Sequence, residues 1–313
     1  MKLLNKWIIF EKIIYFIKLK NNRWLIIKIT INNKEENIDL LNDYLFAKLF
    51  SEKNCEKETL HLINTITEKN FKHLSYEPNE LQGRYKKHKR SVTDVLVMMD
   101  EGTIVNIESQ IETQKKFHKR SHFYNSKILS IFLNVGEDYG DMPKIIMINI
   151  LDFNLHENGN YHKTFVLCDK KNKEYILDDI LETHYIELPK FRKEVKKGNI
   201  NLSNPKDRLI LLLNKNTPQN LIDKVIKMDK FAKNIYNKTL HVLQDQQEYL
   251  SYIRVQQAEQ DKKNIVKYAE EKGEQKGLKK GKVEIAIKLK KLDFSIEQIA
   301  EITEMPLAEI KKL

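Results

Sequence analysis

Two β-rich runs, 92–99 and 103–111, are separated by Asp100-Glu101-Gly102, and this arrangement constrains the fold more than any other stretch of the chain. A three-residue loop ending in Gly is a common hairpin connection, with the glycine in the left-handed position of a bulge. Closing that loop with Met99 opposite Thr103 pairs the runs antiparallel and sets Asp94 directly across from Glu108. Cross-strand Cβ atoms then lie about 4.5 to 5.5 Å apart. Two carboxylates that close repel and desolvate each other unless a cation bridges them. Ligation by oxygen alone favours magnesium or a similar hard ion. Gln110, two residues beyond Glu108, falls on the same face by the period of two. A register slip of one residue would separate the carboxylates, so the chemistry is conditional on the turn.

The flanking sequence reads as a mixed α/β domain. From Asn42, Leu45, Phe46, Leu49 and Phe50 recur at helical spacing, with Asp43 in the first turn where a carboxylate suits the helix dipole. His61, Leu62, Ile63 and Ile66 predict a second helix ending before Glu77-Pro78-Asn79. A helix through Phe117, His118, Phe123 and Tyr124 leads into 128–135, residues 144–151 read as a fully apolar buried strand, and 165–167 and 185–188 as short strands. We bound this domain at 37–204. Beyond Asn204-Pro205 the chain is helix-like: 205–282 is a helical region whose part from 254 is a charged spacer. Gly273, Gly277 and Gly281 within it mark a weak helix or hinge. In 283–313, Ser295-Ile296-Glu297-Gln298 is a capping-box pattern and Met305-Pro306 separates two short helices. This tail is read either as a helix-turn-helix that contacts DNA, with Glu309, Lys311 and Lys312 as its charged candidates, or as a helical hairpin for self-association into a homo-oligomer.

Fifty-five Lys and Arg against 44 Asp and Glu give a net charge of +11, which favours an anionic partner. Part of that excess lies in residues 1–36, with eight Lys or Arg against three Glu. The most apolar stretch there, 7–17, is interrupted by Glu11 and Lys12, whereas a spanning helix needs roughly 20 apolar residues; stable membrane insertion and export are not expected. Ile27, Ile29 and Ile31 alternate with polar residues as in a half-buried strand. Residues 1–36 are an amphipathic helix or hairpin packed on the domain, or an extension without a role; a membrane-surface function of this segment is a further reading. Cys55 and Cys168 are the only cysteines, too few for a disulfide framework or a cysteine zinc cluster, which fits a reducing cytoplasm. His118 and His122 are spaced i, i+4, but no third zinc ligand is suitably spaced.

Arg84, Lys86, Lys87, Lys89 and Arg90 precede the hairpin, and Lys115, Lys116, Lys119 and Arg120 follow it. Cations on both sides of a carboxylate pair suit a phosphodiester that must reach a bound ion. The plainer reading is a solvated basic face beside strand carboxylates without a role.

Taken in order, four pieces of the chain resemble the recombination-promoting nuclease/transposase family of the PD-(D/E)XK nuclease superfamily. They are Asn42-Asp43-Tyr44-Leu45-Phe46; Asp94 with Ile107-Glu108-Ser109-Gln110; Phe117-His118-Lys119-Arg120-Ser121 with Tyr124; and Glu187-Leu188-Pro189-Lys190-Phe191. The resemblance covers 42–191. It implies a restriction-endonuclease-like mixed central sheet flanked by helices, here followed by an α-helical C-terminal region. It also implies magnesium-dependent endonuclease cleavage of double-stranded DNA with little sequence preference, linked to recombination or mobile DNA. Asp94 and Glu108 would bind Mg2+, and the Ser109 carbonyl would add a ligand. Asp43 matches an acidic residue of the first helix in some members, which makes it a further candidate ligand of the ion, and it equally fits a plain helix-start carboxylate. Gln110 stands where the superfamily usually has Lys; it can hydrogen-bond the attacking water but brings no positive charge, so electrostatic help falls to the ion or to Arg120. Thr93 stands where the superfamily has Pro. Arg120, Lys119, Arg90 and Lys89 are the expected DNA contacts. The alternative, from another class, is a DNA-binding or assembly protein on a nuclease scaffold without turnover.

Overall fold

The computed structural model describes residues 8–9, 12–19, 23–31, 34–36, 38–78, 80–81, 91–111, 116–132 and 138–313. They fall into two compact units, Met1–Tyr252 and Ile253–Leu313. The first opens with β1 (Ile8–Ile9), β2 (Lys12–Leu19), β3 (Arg23–Ile31) and β4 (Lys34–Glu36), which pair antiparallel in that order. The alternation at 27–31 is therefore part of a strand, paired antiparallel with β2.

Next, α1 (Asp43–Phe50) starts where Asn42 caps it, the side-chain oxygen accepting from the Leu45 amide at 3.3 Å. Leu45, Phe46, Leu49 and Phe50 form its buried stripe. α2 (Glu56–Thr67) ends well ahead of Glu77-Pro78. Then come β5 (Leu74–Tyr76), the paired β6 (Glu80–Leu81) and β7 (Ser91–Val92), β8 (Val95–Met99) and β9 (Ile104–Gln110). After them follow α3 (Phe117–Phe132), β10 (Ile145–Leu151), β11 (His162–Val166), β12 (Leu181–Glu187) and α4 (Leu188–Lys197).

The central sheet has the order β11-β12-β10-β9-β8-β5. β9, β10 and β12 run parallel, and the remaining pairings are antiparallel. Every β10 residue is buried, so both faces of the sheet are covered, which is why that strand reads as a nearly continuous apolar run. On one face Leu96, Ile104, Ile145 and Met147 pack under Tyr124 and Ile128 of α3. Fully burying an aliphatic side chain contributes about 1.5 to 3 kcal/mol, so this contact fixes where α3 lies over the hairpin. On the other face the Ser109 hydroxyl reaches the Leu41 carbonyl, just ahead of α1. This is the mixed sheet with flanking helices of a restriction-endonuclease-like α/β fold.

α5 (Pro205–Leu213) and α7 (Lys230–Gln244) pack with α1 and α2, and α6 (Gln219–Met228) packs on α5 and α7, so the first unit continues past Asn204-Pro205. Asp39 ties this region together: its amide donates to the Tyr252 hydroxyl at 3.0 Å and its carboxylate pairs with Lys215 at 2.6 Å. α8 (Gln246–Lys291) is one continuous helix through Gly273, Gly277 and Gly281, each with open space where a Cβ would stand. In the second unit, Ala286 of this helix meets Ile299 of α9 (Ile296–Thr303) and Ile310 of α10 (Leu307–Ile310), with Met305 between them. The capping box forms as the sequence predicts: the Gln298 amide donates to Ser295 Oγ at 3.2 Å and the Ser295 amide to Gln298 Oε1 at 2.9 Å. Among the described residues no helix is long and apolar enough to cross a membrane.

Candidate active site

The hairpin closes in the expected register. The Met99 amide donates to the Thr103 carbonyl at 2.8 Å, and Val95 to Met98 pair with Ile107 to Ile104. Gly102 takes φ +73°, a conformation that a side chain disfavours. The run 92–99 is nevertheless not one strand. It breaks at Thr93 and Asp94, between β7 and β8, and the cause is the Asp94 side chain. Its Oδ2 accepts from the Ser109 amide at 2.7 Å and from Ser109 Oγ at 3.2 Å. Asp94 thus stands one residue beyond the last ladder pair and caps the opposite strand instead of lying flat on the pleat.

Glu108 is 1 % exposed in the middle of the sheet. Its carboxylate accepts from Asn106 Nδ2 at 3.3 Å and from the Asp94 backbone N–H, and lies 3.8 Å from an Arg120 nitrogen. Burial pushes the Glu108 carboxyl well above the usual carboxylate range, and the Asp94 charge pushes it further. Asp94 is raised as well, first by burial and then by the charge of Asp43, against the opposing pull of the Ser109 bonds and Arg120. Each shift has the same cause: negative charge gathered where water is scarce, with the Arg120 guanidinium opposing it.

Gln110 does not hang free at the end of β9. Its Nε2 donates to the Ser109 carbonyl at 2.7 Å, and its Oε1 accepts from Arg120 NH1 at 3.3 Å. Arg120 also donates to Tyr124 Oη at 3.0 Å, one turn further along α3, with its guanidinium carbon 5.2 Å from that ring's centre. Lys119 is exposed beside it. Arg90, Lys89 and the rest of the basic run 84–90, with Lys115, lie outside the described residues.

Two carboxylates and a backbone carbonyl make an all-oxygen donor set, which fits a hard divalent cation that keeps several of its waters. The Ser109 carbonyl has a second lone pair beyond the one given to Gln110. A buried acceptor without a hydrogen-bond partner supports the fit: Asn149 Oδ1 is orphaned in β10, and Asn149 is the register partner of Glu108. Among the described residues no group of three or more His, Cys, Asp or Glu side chains is arranged to hold an ion. The charge of Asp43 is felt at Asp94, whose pKa it raises. Asn106 and Asn149 escaped sequence reasoning, although an Asn inside an otherwise apolar strand was a visible signal; 145–151 is not wholly apolar. Tyr124 had a signal too, its i, i+4 spacing from Arg120.

Neither a curated protein nor a solved structure matches the chain. A family model described as PD-(D/E)XK nuclease family transposase matches residues 40–269, which takes in the hairpin, α3 and the helices through α7. With most of its length matched, and with an acidic pair on neighbouring segments of a mixed sheet, the chain belongs to the PD-(D/E)XK nuclease family transposases.

Proposed function

We propose that this protein is a divalent-metal-dependent endodeoxyribonuclease, with Mg2+ as its ion, that hydrolyses phosphodiester bonds of double-stranded DNA with little sequence preference during recombination or movement of mobile DNA. The observation that carries the reading is the hairpin register, which runs Asp94 alongside Glu108 one residue beyond the last ladder pair, with the Ser109 amide held on the Asp94 carboxylate at 2.7 Å. Asp94, Glu108 and the Ser109 carbonyl would hold the ion; Asp43 adds negative charge that draws a cation in. When bound, a divalent ion polarises a phosphoryl oxygen and lowers the pKa of water. Gln110 would orient the attacking water through its amide, and Arg120 would offset the charge that develops on the phosphorane. Lys119, with Arg90 and Lys89, would meet flanking phosphates without reading bases. Both cysteines are unpaired, which supports placing the protein in the cytoplasm.

A second reading has one observation in its favour. Gln110 brings no positive charge and is already engaged on both ends of its amide; a DNA-binding or assembly protein without turnover, with the tail as its self-association element, would tolerate this. Supercoiled-plasmid nicking separates the two. The nuclease reading expects nicking with Mg2+ that disappears with chelator and in Asp94→Ala. Intact plasmid together with a retained gel shift would favour the second.

A further inference from the structure

The motif spelled in the family's description ends in Lys, and Gln110 occupies that place. The hydrogen bonds around it point in both directions. Gln110 donates to the Ser109 carbonyl and accepts from Arg120. A lysine has three donors and no acceptor. It could make the first of these bonds, but it would set an ammonium against the Arg120 guanidinium where the second now forms. Arg120 in turn is held from below by Tyr124, whose ring belongs to the core under α3 and is 7 % exposed. The same guanidinium lies 3.8 Å from the Glu108 carboxylate.

We propose that the positive charge which the motif's lysine would bring enters the site from α3 as Arg120, with Gln110 as the amide that receives it and Tyr124 as the positioning residue that anchors it. This rests on the nuclease reading above and gives Gln110 a structural reason beyond water orientation. A guanidinium is always charged and its planar fork matches two phosphate oxygens, whereas an ammonium is a compact point charge. The exchange of Lys for Gln is then a relocation of charge and not its loss. The i, i+4 spacing of Arg120 and Tyr124 on one helical face sets the approach of the guanidinium independently of the strand.

A charge-swap cycle tests this in the full-length chain: Gln110→Lys, Arg120→Gln, the double variant, and Tyr124→Phe. Thermal melting in EDTA, which requires neither ion nor cleavage, is the first readout. Gln110→Lys is expected to melt lower through cation repulsion and Arg120→Gln lower through the lost partner of Glu108; the double variant should recover most of the loss, because contacting residues do not add. Plasmid nicking with Mg2+ is the second readout. Arg120→Gln is expected to fall about 100-fold, the scale of one electrostatic stabiliser, and the double variant to regain at least about tenfold of it. Tyr124→Phe, which keeps the ring and loses the acceptor, should melt near wild type yet nick roughly five- to tenfold more slowly. Additive melting losses overturn the proposal whatever the nicking. So does wild-type nicking that the double variant fails to regain, since a purely structural contact would restore melting alone. If wild type itself does not nick, the nuclease reading fails, and the melting cycle still decides where the charge belongs.

Discussion

In the absence of any divalent ion Glu108 should show a measurable proton linkage, and Glu108→Gln isolates it. In the folded chain burial and the Asp94 charge raise the Glu108 pKa, whereas in the unfolded chain the group titrates as an ordinary carboxylate. Between those two values the folded state holds a proton that the unfolded state has released. The sign follows: stability falls as pH rises through that window. One proton of difference is worth at most about 1.4 kcal/mol per pH unit. Arg120, 3.8 Å away, limits the shift without cancelling it. Glutamine keeps the shape and the acceptor for Asn106 and the Asp94 amide but carries no titrating proton. Urea midpoints measured in EDTA at pH 6, 7 and 8 should therefore show Glu108→Gln gaining on wild type by about 1 kcal/mol for each unit. Saturating Mg2+ should reverse the advantage, because only the carboxylate binds the ion and its affinity then rises with pH. A stability gap that stays flat from pH 6 to 8 would refute the reasoning, since it would mean that Glu108 is not held above its unfolded value.

Gly102→Ala meets no atom within 4 Å, so its effect is backbone strain alone at φ +73°. It should destabilise by about 1 to 2 kcal/mol in urea unfolding, while Gly102→Asn, which tolerates that conformation, should lose less than half as much. Glu182 is pulled down to about 2, first by the His184 Nε2 bond at 2.8 Å and further by Lys144 at 3.1 Å. Its contribution is present above the ordinary carboxylate value and lost as pH falls toward about 2. After discounting for solvent screening, Glu182→Gln should forfeit about 1 to 2 kcal/mol at pH 6 and almost nothing at pH 2, read from acid-dependent urea midpoints.

What was legible in the sequence was whatever depends on short-range chemistry. Asp100-Glu101-Gly102 dictated the hairpin register, because a left-handed glycine and a period of two leave little freedom. Ser295 and Gln298 dictated the start of α9 in the same way. The break of the strand at Asp94 was not legible, because it answers a need of Ser109, whose amide at the open end of the hairpin takes the Asp94 carboxylate as its partner. Arg120 and Tyr124 are neighbours by helical spacing alone, but their meeting with Gln110 depends on how the apolar contacts of Tyr124 and Ile128 seat α3 on the sheet. The assignment of α5 to α7 to the first unit was hidden for a related reason: composition reads them as helices and says nothing of how α5 and α7 pack on α1 and α2.

A buried acidic pair is unfavourable by itself, and the surrounding residues explain how the fold carries it. Three positive species can answer the charge of Asp94 and Glu108: a proton, the Arg120 guanidinium, or a divalent ion. Where no ion is bound, a proton and the guanidinium can answer that charge: burial raises both carboxyl groups toward the protonated form, and Arg120 lies 3.8 Å from Glu108. An ion that enters must displace the proton and share the guanidinium, and Gln110 and Tyr124 give Arg120 two neutral holds that do not depend on the carboxylates. Because of those holds, Arg120 can stay beside the site when its ionic partner is taken by metal. On the proposed function, a neutral amide at 110 serves the chemistry only as long as α3 keeps its seat, which ties the hairpin to the apolar packing of the helix above it.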